Sequence, residues 1–134
     1  MNAIASFANT AWEETPYAEI DAGRKLTRVR ATFAYTGDLE GEGTVEYLMA
    51  YAPDGTGSFV GLERITGQIG DRPGSFVAQH TGIFDPKSVS TRWQIVSGLG
   101  AGALEGLTGG GNLTLEGHGP YPFDFEFQFT GEKS

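Results

Sequence analysis

The chain contains no cysteine. Disulfides, thiol nucleophiles and cysteine metal sites are therefore excluded. Histidine is scarce, with His80 and His118 alone, and neither HxH nor HExxH spacing occurs. No metal or cofactor is expected from these residues. Positive charge is short as well: 9 Lys and Arg against 17 Asp and Glu give a formal charge of −8. That balance argues against nucleic acid and anionic membranes as partners, because both attract basic surfaces. Long apolar runs are missing, and the opening MNAIASFANTAWEE has neither a basic start nor an apolar core. A signal peptide and a membrane-spanning helix are not expected, so a soluble cytoplasmic protein is the default.

Glycine, by contrast, is abundant at 21 residues, and nine Phe, five Tyr and two Trp can fill a core. With 134 residues, the chain suits one domain, 1–134. No stretch has the period of a long amphipathic helix. Short alternating segments recur between Gly, Pro and Asp turns, the pattern of an antiparallel sandwich or barrel. Strands are expected near 5–13, 25–36, 43–52, 57–69, 74–84, 89–97, 112–118 and 122–130. Segment 15–23 reads as a loop or short helix, and 98–111 as a glycine-rich connection that could serve as a flexible lid.

Turn chemistry suggests a register. Pro53-Asp54-Gly55 centres one hairpin on Asp54, setting Met49 opposite Phe59 and Val45 opposite Glu63. A turn at Asp71-Arg72 would set Glu63 opposite His80 and Gly61 opposite Gly82, with Arg64 and Gln79 paired outside. Asp85-Pro86-Lys87-Ser88 places His80 opposite Trp93. An odd loop over 36–43 would pair Phe33 with Val45 and Ala31 with Tyr47. One face then carries Ala31, Phe33, Tyr35, Tyr47, Met49, Phe59, Phe84 and Trp93, with Phe123, Phe125, Phe127 and Phe129 on the same side. We expect this face to be the interior of a barrel. Glu63 and His80 would meet there, beside a row in which Gly61, Gly82 and Ala31 leave space for a ligand. Glu13 and Glu14 read as exposed charges.

The strings AWEETPY, YTGDLEGEG, VGLERITG, GSFVAQHTGIF and RWQIVSGLGAGALEGLTGGG resemble a bacterial family of small proteins of unassigned function in the allene oxide cyclase-like barrel superfamily. The resemblance spans nearly the whole chain and is most specific at GLERITG and GSFVAQHTG. It departs at Leu99-Gly100-Ala101-Gly102-Ala103, where the family more often has polar residues. It implies an all-β, antiparallel eight-stranded β-barrel with an interior cavity. Relatives in the superfamily include plant allene oxide cyclases and spirotetronate-forming cyclases, which fold a reactive substrate inside the barrel.

The functional expectation is a cofactor-free cyclase or isomerase acting on a small, mainly apolar metabolite. Glu63 and His80 would handle a proton, and Tyr47 would polarise an oxygen. Ala31, Phe33, Tyr35, Met49, Phe59, Gly61, Gly82, Phe84 and Trp93 would hold the substrate. The alternative is a barrel that binds such a molecule without changing it. A filled, purely structural barrel is the third reading. The glycine-rich segment lacks GxxxxGK[ST] and a basic residue, which argues against phosphate binding. No GxSxG elbow supports a serine hydrolase. Leu48, Val60 and Ile83, with Leu62 and Val77, form an outward apolar cluster, so a homo-oligomer is expected, by base rate a homodimer.

Overall fold

The computed structural model describes residues 1–117 and 119–130. Nine strands follow one another: β1 (Asn2–Asp21), β2 (Arg24–Gly37), β3 (Leu39–Tyr51), β4 (Gly57–Ile69), β5 (Arg72–Phe84), β6 (Ser88–Ile95), β7 (Ala101–Gly102), β8 (Leu107–Glu116) and β9 (Tyr121–Phe129). Eight of them form a closed antiparallel barrel in the order β4-β3-β2-β1-β9-β8-β6-β5, and β5 pairs back onto β4. The two-residue β7 is an appendage of β5. Among the described residues no helix is long and apolar enough to cross a membrane.

Alternating side chains divide the wall into two faces. Val29, Ala31, Tyr35, Val45, Phe59, Glu63, Trp93 and Phe125 are buried inside. Outside, Leu48, Val60, Leu62 and Ile83 stay 46–64% exposed. Arg28, Arg30, Arg64 and Arg92 lie on the outward positions around them, with Glu46 paired to Arg30 at 3.5 Å and Glu13 opposite Arg30 on β1. In a chain of charge −8, this face is a local reversal of sign.

Two hairpins differ from the expected register, each by two residues. The β4–β5 turn is Gly70-Asp71, with Ile69 opposite Arg72. Gly70 takes φ 60°, the left-handed geometry that a two-residue hairpin turn requires and glycine supplies at little cost. Gly61 therefore faces His80, Glu63 faces Ala78, and Gly82 faces Phe59. On the outer side, Arg64 faces Val77 and Gln79 faces Leu62 instead of pairing with each other. In the β2–β3 hairpin, Ala31 faces Val45, Val29 faces Tyr47, and Phe33 faces Gly43. A shift of two residues keeps every side chain on its face, because the strand period is two. The Asp54 hairpin and the His80–Trp93 pairing are as expected.

Residues 15–21 are neither loop nor helix but the end of β1, which pairs with β2 as far as Asp21 opposite Arg24, and Ala22-Gly23 form the turn between them. Pro16 is tolerated because β1 is an edge here: β9 pairs only with residues 2–7. The second half of β1 thus overhangs the barrel. The expected strand 112–118 begins earlier, at Leu107, and His118 lies outside the described residues.

The two barrel ends differ. At one end Leu39, Ile69, Phe76, Ile95, Leu104 and Leu107 form a continuous buried cluster. Leu104, from the glycine-rich connection, is fully buried, so this side chain plugs the closed end; 107–111 belong to β8, and the segment is not a lid over the cavity. Its backbone is anchored by Ala103 N–H donating to Pro73 O at 2.8 Å. The other end carries the β1 overhang and the turns after β3, β5 and β8.

Candidate functional site

A cavity of about 400 Å³ enters the barrel from the overhang end. Phe7, Phe33, Phe59, Phe84, Trp93 and Phe123 contribute its aromatic walls, and Met49, Leu113 and Leu115 its aliphatic ones. Asp85, Pro86, Lys87 and Ser88 rim the mouth. None of the residues 98–111 lines it.

The polar centre lies within this apolar enclosure. Glu63 is 1% exposed, and both of its carboxylate oxygens are occupied. Tyr35 Oη donates to Oε2 at 2.5 Å, and His80 Nε2 lies 2.7 Å from Oε1; a carboxylate oxygen can only accept, so Nε2 is assigned the hydrogen. The His80–Glu63 contact crosses the β4–β5 ladder on the diagonal. Gly43 makes room for it: a Cβ there would fall 2.0 Å from Glu63 Oε2 and 3.1 Å from the Tyr35 ring. Burial, then the Glu63 charge and the hydrogen bond to it, push the Tyr35 phenol well above its ordinary range. Burial, then the Glu63 charge, also push Tyr47 well up. Both phenols therefore stay protonated donors at neutral pH.

Tyr47 packs edge-on against His80, with ring centroids 5.7 Å apart, and against Phe59 at 5.3 Å. Its hydroxyl makes no hydrogen bond to the protein among the described residues, and neither does His80 Nδ1. Among those residues, Trp93 Nε1 is the one fully enclosed side-chain polar atom without a partner. The Tyr47 hydroxyl and His80 Nδ1 are thus unpaired yet not sealed off. Each is available to a molecule in the cavity.

A family model matches residues 3–127. The chain belongs to the DUF3224 family, whose description is protein of unknown function. Its fold is similar to a crystal structure, at 1.84 Å resolution, of a DUF3224 protein of unknown function from Shewanella oneidensis MR-1. The two are 28% identical, each is covered over 98% of its length, and the TM-score is 0.79. No curated protein matches.

In this DUF3224 barrel the cavity gathers Glu63, His80, Tyr47, Phe33, Tyr35, Met49, Phe59, Phe84 and Trp93. Ala31, Gly61 and Gly82 are not among its lining residues. The space at the two glycines is already filled. A Cβ on Gly61 would meet Tyr47 Cδ1 at 2.5 Å, and one on Gly82 would meet Phe59 Cζ at 2.5 Å. Each ring lies across the glycine opposite it, so these glycines seat aromatic side chains and not a ligand. Ala31 is 1% exposed, packed with Val29 and Val45.

The sequence reading missed the contribution of β1. Phe7, Asn9 and Trp12 line the cavity. Their alternation continues that of Ala3 and Ala5, a signal interrupted by the bulge between Asn9 and Ala11. It also missed a second polar cluster. Glu14 accepts from Thr27 Oγ1 at 2.7 Å, from Trp12 Nε1 at 3.2 Å and from the Tyr51 hydroxyl. Burial raises the Glu14 pKa, but the bonds from Tyr51, Thr27 and Trp12 and the charge of Lys25 outweigh it, and the net direction is down. Among the described residues no three His, Cys, Asp or Glu side chains gather as a metal set would.

Proposed function

We propose that the barrel binds a small, mainly apolar molecule and moves a proton on it without a cofactor, as an isomerase or cyclase. The carrying observation is the buried Glu63 carboxylate, held by Tyr35 on one oxygen and by His80 on the other. Occupied on both sides, Glu63 acts through His80. It fixes the imidazole tautomer with Nε2–H toward itself and stabilises the imidazolium that a proton transfer would create. His80 Nδ1 is then the proton acceptor, and Tyr47 a neutral donor for a ligand oxygen. Apolar walls exclude water and hold the ligand in one conformer. The resemblance to the allene oxide cyclase-like superfamily supports the same reading.

The second reading is a barrel that holds such a molecule unchanged, which the predominance of aromatic and aliphatic walls favours. Native mass spectrometry of the protein with extracts of apolar metabolites would reveal the bound species. Wild type and His80→Gln should both bind it, and wild type alone should convert it. Recovery of the same unchanged molecule from both proteins would favour the binding reading. We also propose that two copies pair through the outer face bearing Leu48, Val60, Leu62 and Ile83.

A further inference from the structure

The two unpaired polar atoms of the cavity have opposite needs. The Tyr47 hydroxyl can donate and seeks an acceptor; His80 Nδ1, with Nε2–H committed to Glu63, can accept and seeks a hydrogen. Their rings are in edge-to-face contact, so one small ligand can engage both. The ligand must therefore present an acceptor oxygen close to a removable hydrogen. A carboxylate is disfavoured, because it would be buried beside the Glu63 charge while the lining cation, Lys87, stands at the rim. A neutral carbonyl compound meets every condition.

We propose that the site takes enolisable ketones, with the carbonyl oxygen on the Tyr47 hydroxyl and a hydrogen of the neighbouring carbon facing His80 Nδ1. This rests on the proton-transfer reading above and narrows it to a substrate class. The Nδ1 lone pair takes the proton. The C–H electron pair becomes the enolate double bond, and the carbonyl π pair moves to the oxygen that Tyr47 holds. The resulting imidazolium is paired with Glu63. Return of the proton to the far carbon of a β,γ-unsaturated ketone brings the double bond into conjugation. No electrons are gained or lost, and no co-reactant is consumed. A cavity of about 400 Å³ suits a ketone with one ring or a medium alkyl tail.

The test uses benzylacetone, with butylbenzene as its carbonyl-free counterpart, and the full-length protein in deuterated water. Saturation-transfer NMR reads binding, and loss of the proton signals flanking the carbonyl reads exchange. We expect benzylacetone to bind and its exchange to accelerate on the order of a hundredfold over buffer. Tyr47→Phe and His80→Gln should each remove most of that acceleration while benzylacetone still binds. Tyr47→Phe deletes a hydroxyl with no hydrogen-bond partner among the described residues, so its fold is preserved even if His80→Gln proves unstable. Binding without accelerated exchange would overturn the proposal and leave a ligand-holding cavity. Acceleration that survives in Tyr47→Phe would overturn the role of its hydroxyl. Binding of butylbenzene with exclusion of benzylacetone would overturn the ketone assignment. If neither compound binds, the cavity reading falls with it.

Discussion

Gly43 is the residue on which the polar centre depends. Its missing side chain is what allows the Glu63 carboxylate to sit under Tyr35, with a prospective Cβ only 2.0 Å from Oε2. Gly43→Ala should displace the carboxylate and lower stability by roughly 1–3 kcal/mol, the usual range for overpacking. Urea denaturation measures that loss, and an unchanged midpoint would refute the crowding argument. Gly61→Leu should be destabilising for a different reason. The added side chain collides with the Tyr47 ring at 2.5 Å and with Glu46 O at 2.7 Å. A fall of roughly 1–3 kcal/mol or more is expected in thermal or chemical unfolding. A stable variant with an altered cavity would revive the idea of open space there. From the sequence, Gly61 and Gly82 looked like vacancies because composition shows a missing side chain but not the neighbour that leans over it. Glu63 and His80 were legible because charged groups inside an apolar alternating pattern need partners. Tyr35 as the second donor was not, since its contact with Glu63 spans 28 residues and two strand pairings.

Among the elements, β1 is the least predictable and the most exposed. Pro16 and the acidic residues around it read as a break, yet an edge strand tolerates proline and charge, and both discourage pairing with other chains. The register shifted by two in two hairpins because one turn could be centred on several polar residues. The set of inward residues survived, since only a shift of one exchanges the faces. The overhang of β1 is held to the barrel rim by Glu14, which accepts from Thr27, Tyr51 and Trp12. Its pKa is lowered from 4.5, so this hold is complete above pH 4.5 and is lost as pH falls through the folded value. Burial, then the hydrogen bond and charge of Glu14, raise the pKa of Tyr51 from 10.0 to about 12. That part of the hold is complete below pH 10.0 and is lost as pH rises through about 12. The indole N–H NMR signal of Trp12 should move at both limits. In Glu14→Gln the acid-side change should vanish. A signal that titrates identically in that variant would show that Glu14 is not the anchor.

At the scale of the whole molecule, charge and shape are both uneven. The face proposed to pair two copies carries Arg28, Arg30, Arg64 and Arg92 around its apolar stripe. Two such faces repel at low ionic strength, so added salt should tighten a dimer instead of loosening it. Sedimentation across a salt series at micromolar protein checks this, and a monomer throughout would reject the pairing. The antiparallel all-β class and the inward face were legible in the sequence because they rest on local alternation, whereas closure into an eight-stranded barrel was implied by the family resemblance. Which end is closed was not, because Leu104 reaches the floor from a segment whose glycines look like a lid. A plugged floor has a kinetic consequence. The cavity is reached from the overhang end, so a molecule converted there as proposed would leave by the route the next one enters. Under the proposed proton-transfer reading, product should compete with substrate for the same vacancy, and turnover should slow as product accumulates, even when the chemical step itself is fast.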